Sequence, residues 1–149
     1  METMNIFAKS RIISVELDSE LVDIERLMVR RKVGHIPVLS ENVLKGIISD
    51  SDIKRHKSRL AGTDLSNQRE EATLKLKAHQ IMTRDLITIN LSQPVEDAVD
   101  LILKHDIHCL LIVDDDEQLK GIVTYSDLLR FMKKILKRIK VEEDLSLQE

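Results

Sequence analysis

Residues 119–130 read LKGIVTYSDLLR, and residues 44–55 read LKGIISDSDIKR. Aligned without gaps, the two stretches agree at seven of twelve positions. The replacements that carry the pattern are mild: Val123 stands for Ile48, Thr124 for Ser49 and Leu128 for Ile53. A repeat at fixed offset defines the structural unit before any single element is assigned. The offset is 75 residues in a chain of 149. The chain is therefore read as two copies of one unit, not as a solenoid of many short repeats.

Working outward from the second copy, the apolar run Cys109–Val113 and the stretch Leu119–Thr124 flank Asp114-Asp115-Asp116. Two strand-like runs around a polar turn predict a β-hairpin. Upstream, Val95, Ala98, Val99 and Ile102 recur at the spacing of one helix face. Ser92 is placed to cap that helix, with Pro94 in its first turn, where a missing N–H costs little. Residues 87–91 precede it as a strand. Leu128, Met132, Ile135 and Ile139 predict a closing helix. The first copy runs in the same order: a strand over 12–17, a cap at Asp18 or Ser19, and a helix from Leu21 through Ile24, Leu27 and Met28 to Lys32. A hairpin of 36–39 with Val43–Ser49 follows, turning at Ser40-Glu41-Asn42, and then a helix from Ser49 or Asp50 into 56–59. Each unit is thus β-α-β-β-α, and the fold class is α/β in the mixed, α+β sense. The expected division is 1–60 for the first repeat, 61–78 for a polar link, 79–141 for the second repeat and 142–149 for an acidic tail that frays. The link reads as a loose linker or as a helix from about Gln68, with Glu71 and Lys75 at helical pairing distance.

Composition narrows the function classes. Apolar residues make up 42% of the chain, enough for a core, and charged residues 33%. A net charge of −3 gives no push toward nucleic acid or an anionic membrane. Phe7, Tyr125 and Phe131 are the only aromatics, so a binding slot must have aliphatic walls. One cysteine, Cys109, cannot form an internal disulfide and fits a reducing compartment. No apolar run reaches the roughly 18 residues of a membrane span, and the first residues lack the apolar stretch of a signal peptide. The expectation is a cytoplasmic protein with no membrane partner.

No nucleophile–base pair, Walker loop or paired acid–base carboxylates stand out, so no enzyme is expected. His105, His108 and Cys109 are close in sequence, but a helix end and a strand entry do not present three ligands together; no metal is expected. Lys133, Lys134, Lys137, Arg138 and Lys140 form one basic stripe, and Lys54, Arg55, His56, Lys57 and Arg59 another. Each reads as a solvated face or as a seat for polyphosphate or a partner. Ser49-x-x-Asp52 and Thr124-x-x-Asp127 fit the capping box that closes a helix N-terminus. An ionised aspartate there is acceptor-only and can also take two vicinal hydroxyls, and the helix start is a natural phosphate seat.

With the repeat in view, the chain resembles a tandem pair of CBS domains, often called a Bateman module. The resemblance rests on His35-Ile36-Pro37-Val38 with Gly46-Ile47-Ile48-Ser49-Asp50-Ser51-Asp52, and on residues 107–113 with Gly121-Ile122-Val123-Thr124-Tyr125-Ser126-Asp127. It covers nearly the whole chain. It implies two repeats packed about a pseudo-twofold axis, with sheets facing each other. In similar modules the motif G-h-h-[ST]-x-x-D holds an adenine nucleotide or adenosyl ligand, its Asp on the ribose and its Ser or Thr near ribose and phosphate. That nominates Asp52 with Ser49, and Asp127 with Thr124. The resemblance sets Gly34 and His35 toward the ligand at Asp127, and His108 and Cys109 toward the ligand at Asp52. Ile13, Ile36, Ile87 and Leu110 supply an aliphatic adenine slot. The implied function is regulatory sensing of AMP, ADP, ATP or S-adenosylmethionine, by a homodimer that signals to a separate effector protein. Two other readings stay open: a ligand-independent dimeric scaffold whose aspartates only cap helices, and, less favoured, a nucleic-acid binder using the basic stripes.

Overall fold

The hairpin that carries the repeat forms in both copies of the computed structural model, which describes residues 1–58, 71–72 and 75–148. In the first copy, β2 (His35–Ser40) pairs parallel with β1 (Val15–Glu16) and antiparallel with β3 (Val43–Ser49). Its turn places Glu41 and Asn42 at φ of 50° and 66°. Both central residues of a tight hairpin turn need positive φ, and asparagine tolerates it well. Between β1 and β2 lies α1 (Leu21–Arg31), and α2 (Asp50–Ser58) follows β3. The second copy has β4 (Thr88–Asn90), α4 (Val95–His105), β5 (Cys109–Val113), β6 (Leu119–Thr124) and α5 (Tyr125–Ser146), with sheet order β4-β5-β6. The architecture is mixed α+β, with one three-stranded sheet in each copy. A short 3-10 turn, Met4–Phe7, precedes the first copy, and a short helix α3 (Ala78–Ile81) precedes the second.

The amphipathic stripes read on α1 and α4 face the two cores, whereas in the stripe expected on the last helix Leu128 is buried but Met132 and Ile139 are exposed. Leu21, Ile24 and Met28 of α1 pack with Ile36, Val38 and Ile48 of the first sheet. Val95 and Ala98 of α4 pack with Leu110, Ile112 and Val123 of the second. The compact units do not follow the sequence repeats, however. One unit comprises Arg11–Leu86 with Asp115–Leu119; the other comprises Met1–Ser10, Ile87–Asp114 and Lys120–Glu149. The opening segment of each copy has thus moved to the other unit. Met4, fully buried, completes the core around Ile112 and Val123, while Ala78, Ile81 and Met82 complete the core around Ile36 and Ile48.

Packing of distant segments explains two departures from the sequence reading, both at helix starts. Neither Asp18 nor Ser19 caps α1; the N-cap is Glu20, and the Leu21 N–H donates to the Leu76 carbonyl at 2.8 Å. Ser92 does not cap α4, and Pro94 is the N-cap itself rather than a first-turn residue; the Val95 N–H donates to the Glu2 carbonyl at 3.0 Å. In both units a backbone carbonyl of the exchanged segment does what a side-chain cap was expected to do. The first strand is also shorter than expected, two residues in place of a run over 12–17. The tail differs as well: α5 continues to Ser146 instead of fraying after Val141. Glu142, Glu143 and Leu145 are good helix formers, and a helix already nucleated upstream extends through them. Of the expected link, residues 61–70 and 73–74 lie outside the described residues, as does most of the helix that was considered from Gln68.

Two glycines of the repeat admit the exchanged segments. A Cβ on Gly121 would lie 2.8 Å from the Phe7 carbonyl oxygen and 3.2 Å from Ile112 Cδ1. A Cβ on Gly46 would lie 2.5 Å from Met82 Sδ and 2.9 Å from the Thr83 carbonyl oxygen. The Lys9 N–H donates to the Lys120 carbonyl, and Thr83 and Ile47 exchange two backbone hydrogen bonds. The close approach, not a special φ, is what requires glycine at these positions.

Candidate functional site

At the start of α2, Ser49 and Asp52 close on each other. The Ser49 N–H donates to Asp52 Oδ2 at 2.9 Å, and the Asp52 N–H donates to Ser49 Oγ at 3.1 Å. The Arg55 guanidinium, one turn on, pairs with Asp52 Oδ1. The start of α5 repeats the arrangement. The Thr124 N–H and hydroxyl both donate to Asp127 Oδ2, at 2.9 and 3.0 Å, and the Asp127 N–H donates to Thr124 Oγ1 at 3.2 Å. Arg130 pairs with Asp127 Oδ1 at 3.2 Å. In both sites one carboxylate oxygen serves the helix start and the other pairs with an arginine one turn on. The sites differ in access: the Asp52 side chain is 12% exposed and the Asp127 side chain 35%.

The strand entries come to the same helix starts within each unit. Gly34 accepts a hydrogen bond from the Asp50 N–H at 2.9 Å, and His35 lies opposite Ser49 in the hairpin register. In the second unit the His108 carbonyl accepts from the Tyr125 N–H at 3.2 Å, and the two rings meet edge-on with centroids 5.4 Å apart. Of the four aliphatic residues expected to form an adenine slot, Ile36 and Leu110 are fully buried in the cores of their own units. Ile13 and Ile87 lie partly buried at the core edges and retain surface for a ligand. Cys109 is half-buried, and burial pushes its thiol up to about 11. It therefore stays protonated near neutral pH and is neither a ready nucleophile nor a ready metal ligand. Among the described residues, no three His, Cys, Asp or Glu side chains are grouped to hold a metal ion. No described helix is long and apolar enough to cross a membrane.

The second unit also contains a cavity of about 430 Å³ beside Asp127. Its apolar side is made by Phe7 and Phe131, whose rings meet edge-on at 5.9 Å, and its rim carries Lys9, Arg130, Lys134 and Arg138. The basic stripe of the last helix contained Lys134 and Arg138, but Lys9 and Phe7 carried no signal as site residues. They reach the cavity only because the opening segment packs on the second copy. The rest of that stripe, Lys133, Lys137 and Lys140, is exposed.

The profile of the CBS domain matches residues 5–59 and 78–134. The chain is 29% identical over 137 residues to MJ1225 of Methanocaldococcus jannaschii, covering 87% of this chain and 47% of that protein. It is 32% identical over 136 residues to MJ1426 of the same organism, covering 75% of this chain and 80% of that one. The chain thus spans about half the length of MJ1225 and most of MJ1426. Among solved structures, CBSX2 in complex with AMP superposes with a TM-score of 0.75 at 27% identity, covering 91% of this chain and 98% of that one.

Proposed function

Because the chain belongs to the CBS-domain family, with matches over residues 5–59 and 78–134, we propose that it is a regulatory module. Its ligand is an adenine nucleotide or another adenosyl compound, held at Ser49–Asp52, at Thr124–Asp127, or at both. One observation carries this reading: two helix starts present a carboxylate in the same arrangement, and in each one oxygen pairs with an arginine that is itself well exposed, Arg55 at 60% and Arg130 at 73%. A ribose diol can take that oxygen while the arginine turns to the ligand's anionic end. The AMP complex of CBSX2, a structure of similar chain length and fold, supports the ligand class.

Titration calorimetry of AMP, ATP and S-adenosylmethionine into wild type, Asp52→Ala and Asp127→Ala tests it. The expected result is micromolar-range binding that one or both substitutions weaken at least about tenfold while the protein stays folded, each charged hydrogen bond contributing about 1.5–3 kcal/mol. If nothing binds and the substitutions only lower stability, the aspartates are caps and the ligand-independent scaffold takes this reading's place. That second reading is favoured by the capping hydrogen bonds already made by both residues.

The proposed signalling unit is a homodimer acting on a separate effector protein in the cytoplasm, without nucleic acid or membrane as partner. Helix α5 presents Tyr125, Leu129, Met132, Leu136 and Ile139, each between 45% and 60% exposed. Their spacing alternates between four and three residues, the seam of a helix that packs on another helix. Sedimentation analysis of wild type is expected to give a dimer, and Leu136→Asp a monomer with unchanged helix content. A monomeric wild type would remove the second copy from the proposal.

A further inference from the structure

The cavity beside Asp127 is unequal in charge, and the imbalance says more than the ribose contact does. Glu2 lies 3.8 Å from Arg138, and Asp127 lies 3.2 Å from Arg130, so each anion of the wall has one cation. Lys9 and Lys134 remain, and among the described residues neither has an acidic partner within ion-pair distance. The cations are also set out in a line. Arg130, Lys134 and Arg138 follow Asp127 on one face of α5, and a helix rises 1.5 Å per residue, so Lys134 stands about 10 Å and Arg138 about 16 Å beyond the carboxylate. Lys9 closes the same cavity from the opening segment, where its N–H is bonded to the Lys120 carbonyl.

We propose that this cavity holds the phosphate chain of a nucleoside di- or triphosphate whose ribose is taken by Asp127, and that Lys9 and Lys134 select such ligands over a monophosphate. The proposal rests on the adenosyl-ligand reading for its ribose half only. A monophosphate anchored at Asp127 ends near Arg130, within the first helical turn. A di- or triphosphate continues along α5 to the lysines. A sulfonium ligand such as S-adenosylmethionine brings positive charge to a rim that is already cationic and is disfavoured. In the first unit, a cavity of about 230 Å³ is lined by Glu25, Met28, Val29, Val33, Asp50, Ile53 and Lys54.

The test uses the full chain with three probes: ATP, AMP and inorganic tripolyphosphate, in buffer containing a chelator. Wild type is expected to bind ATP about tenfold or more tightly than AMP, because each charge-assisted contact adds that order of affinity. Lys9→Gln and Lys134→Gln, both at exposed positions, are expected to remove most of that preference and leave AMP binding within about twofold. Tripolyphosphate, which has no ribose, is expected to bind wild type and Asp127→Ala alike and to be lost in Lys134→Gln. Tripolyphosphate binding that depends on the lysines upholds the anion seat even where no nucleoside binds and the adenosyl reading has failed. Equal affinity for AMP and ATP, with no lysine-dependent binding of tripolyphosphate, overturns it while leaving the adenosyl reading standing on AMP alone.

Discussion

Replacing Gly121 with alanine is expected to lower the stability of the protein by about 1–3 kcal/mol, the usual cost of forcing a methyl group into a packed site. The new Cβ would meet the Phe7 carbonyl oxygen at 2.8 Å. That atom belongs to the backbone of a segment pinned through Met4, Asn5 and Lys9, so it cannot turn aside as a side-chain end would. Gly46→Ala is expected to cost the same order, since the Thr83 carbonyl stands 2.9 Å from its Cβ position. Gly34→Ala is the internal control. Its Cβ would find only Asp50 side-chain atoms, at 3.9 to 4.0 Å, an ordinary contact, and the expected change is within about 0.5 kcal/mol. Urea unfolding of the three variants measures all of this through the shift in midpoint. Equal, small effects at the three positions would mean that the exchanged segments are not held against the strands as described.

The second large effect is at Asp52. Asp52→Ala is expected to cost about 1–2 kcal/mol, within the range for leaving a part-buried backbone N–H without its acceptor, and Asp127→Ala clearly less. Asp52→Ala takes the acceptor from the Ser49 N–H, and Asp127→Ala takes it from the Thr124 N–H and hydroxyl, while the bonds donated by the backbone N–H of residues 52 and 127 do not depend on the side chain. The difference lies in what water can repair. The Asp127 side chain is about three times as exposed as that of Asp52, at 35% against 12%. Solvent can reach the orphaned Thr124 N–H more readily than the Ser49 N–H, and an unsatisfied donor costs most where it is buried. Thermal unfolding of the two variants decides it, and a larger loss at Asp127 would contradict the burial argument.

Much of this architecture was legible in the sequence because it is periodic. β3, β5 and β6 begin and end where the alternation and the flanking turns placed them, at Val43–Ser49, Cys109–Val113 and Leu119–Thr124. The helix stripes through Ile24 and Ala98 point into the cores as their spacing required. The pairing of Ser49 with Asp52 and of Thr124 with Asp127 was also readable, because a capping box is local in sequence. What could not be read is what depends on distant chain. The caps expected at Asp18 or Ser19 and at Ser92 gave way to the carbonyls of Leu76 and Glu2, and no local pattern announces such a partner. Phe7 and Lys9 were unremarkable for the same reason: nothing near them in sequence resembles the α5 face they approach. The glycines were visible as part of the repeat, but their cause, the strand crossing over them, was not.

The exchange of opening segments also sets the order in which the chain can mature during its synthesis. The unit holding Arg11–Leu86 has most of its parts once residue 86 has been made; only Asp115–Leu119 is missing. Met4 and Phe7 are made more than a hundred residues before most of the residues that bury them, Ile112, Val123, Leu128 and Phe131. At about 5–20 residues per second, the two apolar side chains wait on the order of ten seconds for their partners. Both units therefore await the second hairpin, and a chain halted before Val123 keeps Met4 and Phe7 available to any other apolar surface in reach.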